Sequence, residues 1–132
     1  MSRVNDYLSE AGVFYLATVD GDQPKLRPLG LHMEMDGKLL FGVGDFKEVY
    51  RQLCANPKLE IVASGKNGHW LRLTGKAVFE TDPKYAEAAL EASPGLRQIY
   101  NEQTGHKMMI FRVEMESARD IAVMGQGEDL LA

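Results

Sequence analysis

Hydrophobic and polar positions change period several times along this chain. Val4, Leu8 and Ala11 form an apolar stripe over the first eleven residues, with Ser2 placed to cap a short helix and Gly12 to end it. Residues 13–19, VFYLATV, are a near-continuous run of strand formers and predict a strand buried on both faces. DGDQP reads as a turn. Residues 25–35 then read as a second strand with an irregularity. Leu29, Leu31, Met33 and Met35 alternate with polar or small residues, but Leu26 has the opposite parity. Pro28 and Gly30 sit near the switch, which predicts a bulge or kink. Asp36–Gly37 suits a tight hairpin turn, and LLFGV, residues 39–43, returns as a third strand.

Between residues 46 and 54 the period lengthens. Phe46, Val49, Tyr50, Leu53 and Cys54 predict one apolar helix face. Asp45 is placed as the cap, Glu48 could complete a capping box, and Asn56–Pro57 stops the helix. Residues 59–65 read as a fourth strand, KNG as a turn, and 69–81 as a long fifth strand. On the fifth strand Leu71, Leu73, Ala77 and Phe79 share one face, and Trp70, Arg72, Thr74 and Lys76 the other. Asp82 and Pro83 open a helix over 83–92 that turns Ala86, Ala89 and Leu90 inward and ends near Pro94. A short helical or irregular connection leads to strands over 107–115 and 119–125. The tail, QGEDLLA, is expected to fray or to touch a partner. Six or seven short, mostly antiparallel strands with three helices predict a compact β-barrel with peripheral helices, α+β and mainly β by class.

At 132 residues the chain fits a single domain, 1–132, with a self-sufficient core. Its net charge of −4 provides no basic block to neutralise a phosphate backbone, which argues against nucleic acid as a partner. No apolar run approaches a membrane span and no signal-peptide layout is present, so a soluble cytoplasmic protein is expected. Cys54 is the only cysteine and is read as a small buried helix residue. The three histidines lack metal-ligand spacing, and no metal site is expected.

No nucleophile-plus-base motif is visible, and no catalytic residue is assigned. The junction GVGDFK is more informative. Gly42 and Gly44 allow close approach to the backbone, the helix start offers free N–H groups, and Lys47 adds a cation where the macrodipole is already positive. That combination suits a phosphate, although Asp45 could equally compensate the helix start and leave Lys47 to water. Arg27 precedes the strand irregularity, where a bend can expose main-chain groups to a flat ligand or simply form a solvated edge. Trp70 and Arg72 lie on the non-core face of the fifth strand. There a tryptophan is covered by a ligand, another subunit or the third helix.

Taken in order, VFYLATVDGDQPKLRPLG, DGKLLFGVGDFKEVYRQLCANPKLEIVA and WLRLTGKAVFE resemble the pyridoxamine 5′-phosphate oxidase-like flavin-binding split-barrel proteins, nearest the small nitroimidazole-resistance-type members. The resemblance covers about residues 3–124. It implies a six-stranded antiparallel split barrel, a homodimer, and FMN in a groove between subunits. By position, Arg27, Pro28 and Leu29 would line the flavin, and Val43, Gly44 and Lys47 would hold the phosphate end. Trp70 and Arg72 could complete the pocket. Members often carry Ser or Thr at the end of the third strand and Asn after the lysine. Here Val43–Gly44 and Glu48 stand there, so two phosphate hydrogen bonds are missing and a carboxylate is added. The implied function is an FMN-dependent oxidoreductase acting on a small molecule. The alternative is a non-catalytic binder or sensor of a flavin, a deazaflavin or haem.

Overall fold

A computed structural model describes residues 2–131. Its elements are α1 (Ser2–Ala11), β1 (Phe14–Asp20), β2 (Gln23–Leu29), β3 (His32–Met35), β4 (Lys38–Gly44) and α2 (Glu48–Ala55). They continue as β5 (Lys58–Ser64), β6 (Trp70–Glu80), α3 (Pro83–Ala92), β7 (Met108–Ile121) and β8 (Gly127–Asp129). The expectation that Ser2 caps α1 concerns a side chain outside the described residues. Among the described residues no helix is long and apolar enough to cross a membrane.

The ladder runs β2-β1-β5-β6-β7-β4-β3, antiparallel throughout, with β8 added beside β7. The two ends of this order, β2 and β3, are consecutive in the chain and joined through Gly30 and Leu31. The backbone itself therefore closes the ring where hydrogen bonds do not. With β2 and β3 counted as one kinked strand and β8 left outside the ring, the fold is a six-stranded antiparallel split barrel with peripheral helices, α+β and mainly β.

The kink also turns the strand over. Leu29 packs on the barrel interior with Phe14, Phe41 and Phe111. Leu31, Met33 and Met35 pack instead in a second core beneath α3, with Leu40, Tyr85 and Ile110. The expected phase is thus corrected at one residue: Leu29 belongs with Arg27, not with Met33. Inside the barrel Phe14, Phe41, Phe111 and Phe79 form a chain of ring contacts at centroid separations of 5.6, 5.6 and 5.5 Å. The Asp36–Gly37 hairpin forms, with both residues at positive φ. Asp82 caps α3 by accepting from the Lys84 N–H at 3.0 Å.

Three further expectations need correction. The strands read at 107–115 and 119–125 are one continuous strand, β7. Its pairing to β6 skips Glu116 between Met115 and Ser117, so a bulge absorbs the break in period. The tail is folded back through Leu130, against the expectation that it frays: β8 pairs with β7, and Leu130 is buried in the barrel core with its N–H donated to the Ala118 carbonyl at 2.8 Å. Cys54 is exposed, because the buried stripe of α2 is Val49, Gln52 and Leu53.

Helix α1 is tied to the barrel by a polar clasp. Tyr7 Oη donates to Asp120 Oδ1 at 2.7 Å, and His69 Nδ1 lies 2.9 Å from Asp120 Oδ2. The Tyr7 hydroxyl and then His69 hold the Asp120 carboxyl below its ordinary range. A lowered folded pKa means that the unfolded chain takes up the proton first as pH falls. The clasp's contribution is therefore complete above the ordinary Asp range, about pH 4–5, and is lost as pH drops through the folded value. Asp120→Asn is expected to reduce the acid sensitivity of α1 amide exchange. An identical pH dependence in wild type and variant would count against this clasp.

At the β6–β7 bulge, a Cβ on Gly75 would run into the Glu114 carbonyl and the Val113 side chain. Gly75→Ala is expected to destabilise the fold by about 1–3 kcal/mol in urea unfolding, the range for overpacking a tight site.

Candidate functional site

The split in the barrel opens a groove of about 550 Å³, inside the range of roughly 300–1,000 Å³ usual for small-ligand sites. Three segments build it: the kinked strand from Lys25 to Leu31, the end of β4 from Gly42 to Gly44, and the start of α2 from Lys47 to Gln52. Leu96, Tyr100 and Met108 close one side. Arg27, Pro28, Leu29, Val43, Gly44 and Lys47 all line this groove. Trp70 and Arg72 do not. They lie on β6, separated from β2 by β1 and β5. Arg72 is engaged by Glu60 through bonds of 3.0 and 3.3 Å. Trp70 pairs with Ile121 at the end of β6 opposite to where α3 begins, so α3 does not cover it.

Lys47 is itself the N-cap of α2, with extended backbone angles and no side-chain capping bond. Asp45, the expected cap, is used elsewhere. Its carboxylate accepts from the Lys107 N–H at 3.0 Å, and its own N–H donates to the Lys107 carbonyl. The expected Asp45–Glu48 capping box therefore does not form. A lysine has no oxygen to offer the first helical N–H groups, so the helix start keeps its positive character beside the Lys47 ammonium. Lys47 Nζ lies 5.1 Å from the centre of the Phe46 ring. The Glu48 carboxylate leans toward Arg51, at 4.0 Å. Gly44 is tight for a local reason: a Cβ there would meet Tyr100 Oη at 2.6 Å and the Phe46 ring edge at 2.8 Å. Phe46 is 46% exposed and stacks on His106 at 3.9 Å between ring centres, instead of joining the buried face of α2.

Arg27 points into the barrel opposite Leu16. Its Nη1 donates to Thr18 Oγ1 at 2.7 Å and to the Leu16 carbonyl at 3.1 Å, and its Nη2 donates to Gln52 Oε1 at 2.7 Å. Thr18 Oγ1 donates in turn to Gln52 Oε1 at 2.6 Å. Burial pushes the Arg27 pKa down from its ordinary value. Thr18 and Gln52 were not singled out from the sequence. The available signal was a polar residue inside the apolar stripe of α2, and a lone threonine inside VFYLATV.

A family profile for pyridoxamine 5′-phosphate oxidase matches residues 2–122. The chain belongs to this family. The chain is similar to a NimC/NimA family protein from Clostridium acetobutylicum, at 36% identity and TM-score 0.87, covering 98% of this chain and 90% of that one. General Stress Protein 26 from Bacillus anthracis shares 12% identity at TM-score 0.71, covering 98% of this chain and 97% of that one. A haem-binding protein from Mycobacterium smegmatis shares 17% identity at TM-score 0.68, covering 93% of this chain and 54% of that one. At those two identities the likeness is one of fold alone. No curated protein matches the chain.

Thr18 is only 2% exposed and both its hydroxyl bonds are internal. Thr18→Val keeps the shape and strands one guanidinium donor. An expected loss of about 1–3 kcal/mol in urea unfolding follows from leaving a buried polar group short of partners. A change below about 0.5 kcal/mol, the scatter of ordinary surface substitutions, would show that the network does not hold Arg27.

Proposed function

We propose that this protein is an FMN-dependent oxidoreductase whose flavin lies in the groove between β2, β4 and α2. The observation that carries the reading is that Arg27, Pro28, Leu29, Val43, Gly44 and Lys47 converge on one groove with a cationic, donor-rich end. Lys47 and the first N–H groups of α2 would take the phosphate, replacing the hydroxyl donors absent at Val43 and Gly44. The Arg27–Leu29 segment would wall the ring system. Bound FMN supplies the electron transfer; the chain positions it and limits access to it.

A second reading of the same groove is binding without turnover. Reduction of bound flavin by NAD(P)H, followed by reoxidation with a nitro compound or quinone, separates the two.

A homodimer belongs to the same proposal. The outer face of β1 and β2 leaves Tyr15 44% and Leu26 67% exposed beside the groove. A second copy docked there could bring its own Trp70 and Arg72 toward the flavin.

The absorbance spectrum of the purified protein, followed by FMN titration, tests the cofactor. Lys47→Ala is expected to raise the FMN Kd about tenfold or more, the scale of one lost charge-assisted hydrogen bond, with the mass by light scattering unchanged. Equal affinity in wild type and variant would remove Lys47 from the phosphate end. Colourless protein that ignores added FMN would reject the flavin reading.

A further inference from the structure

Gln52 is 1% exposed, lies on the buried stripe of α2 and lines the groove. Its amide orientation is fixed by chemistry. The atom 2.7 Å from Arg27 Nη2 must be the oxygen, because a guanidinium only donates. The same oxygen accepts from Thr18 Oγ1. Both partners thus hold Oε1, and the Nε2 group is left buried with no hydrogen-bond partner among the described residues. Burying an unpaired amide donor is costly, and such a group in a native protein calls for an explanation.

We propose that Gln52 is a ligand-reading residue of the groove, its Nε2–H donating to an acceptor atom on the uncharged part of the bound molecule. This inference rests on the flavin reading above. Gln52 stands five residues beyond Lys47, about 7.5 Å further along the helix, away from the cationic end. The complementary ligand therefore offers a carbonyl oxygen, ring nitrogen or hydroxyl at that depth, as the ring and ribityl chain of a flavin do. Arg27 and Thr18 act as positioning residues: by occupying Oε1 they fix which end of the amide is left to donate.

The test compares FMN with riboflavin, which lacks the phosphate. Gln52→Glu keeps an acceptor for Arg27 and Thr18 and removes the donor. Gln52→Met removes the donor without adding charge. Both variants are expected to weaken riboflavin and FMN by about the same factor, tenfold or more, while the melting of the ligand-free protein shows that they fold. Unchanged riboflavin affinity in folded variants overturns the role of Gln52 and leaves the flavin reading standing. Wild-type protein that binds neither flavin overturns both. If the variants do not fold, the assigned Gln52 side-chain amide of the wild type decides. One of its protons is expected to shift and exchange more slowly on adding riboflavin, and an unmoved signal overturns the role.

Discussion

The strand that passes from β2 to β3 must face opposite ways on the two sides of Gly30, and most of the molecule follows from that. On the near side Arg27 and Leu29 enter the barrel; on the far side Leu31, Met33 and Met35 serve the core under α3. One strand can serve two cores only if its pleat changes phase, and a phase change interrupts the ladder. The ring is consequently closed by covalent bonds at this point and not by hydrogen bonds. The groove opens at the interruption, with α2 laid along one side of it.

The cations at this opening differ in how far water reaches them. Arg27 is bound by three acceptors, two from β1 and one from α2, which leaves it little freedom to follow a ligand. Lys47 is exposed at the end of a helix whose dipole reinforces its charge. A rigid, partly desolvated guanidinium suits the shaping of a pocket, while a mobile ammonium suits the capture of an anion. The departures at Val43, Gly44 and Glu48 fit this division. Backbone N–H groups and one lysine stand where the family resemblance implies hydroxyls, and Arg51 lies 4.0 Å from the added carboxylate.

Period and local turn chemistry made most of the strands and α3 legible in the sequence. Asp36–Gly37 and Asp82–Pro83 act within a few residues, and so they read correctly. What could not be read depends on contacts between distant segments. Asp45 looked like a helix cap, but Lys107, far along the chain, claims its carboxylate. Cys54 looked more buried than Gln52 on hydrophobicity alone, yet Thr18 and Arg27 provide the partners that make a buried glutamine tolerable. The kink was signalled by Pro28 and Gly30. Its phase was not, because that depends on which core each side reaches. The tail looked polar, and only the place left for Leu130 in the barrel folds it back. The six residues that share the groove were legible through family resemblance. Trp70 and Arg72 lie elsewhere on the same chain.

Tyr100 and Met108 line the groove and also an apolar cleft of about 620 Å³ beneath α3. They form a partition with a cavity on each side. Tyr100 rests against the space that Gly44 leaves by having no side chain, its Oη 2.6 Å from where a Cβ would stand. The two cavities therefore trade volume: a bulkier residue on the α3 side would push the partition and narrow the groove, and a smaller one would let it relax away. The shape presented to a ligand is in this sense set partly from behind. Evolution could retune it through residues such as Ala86 or Leu90, which never meet the groove.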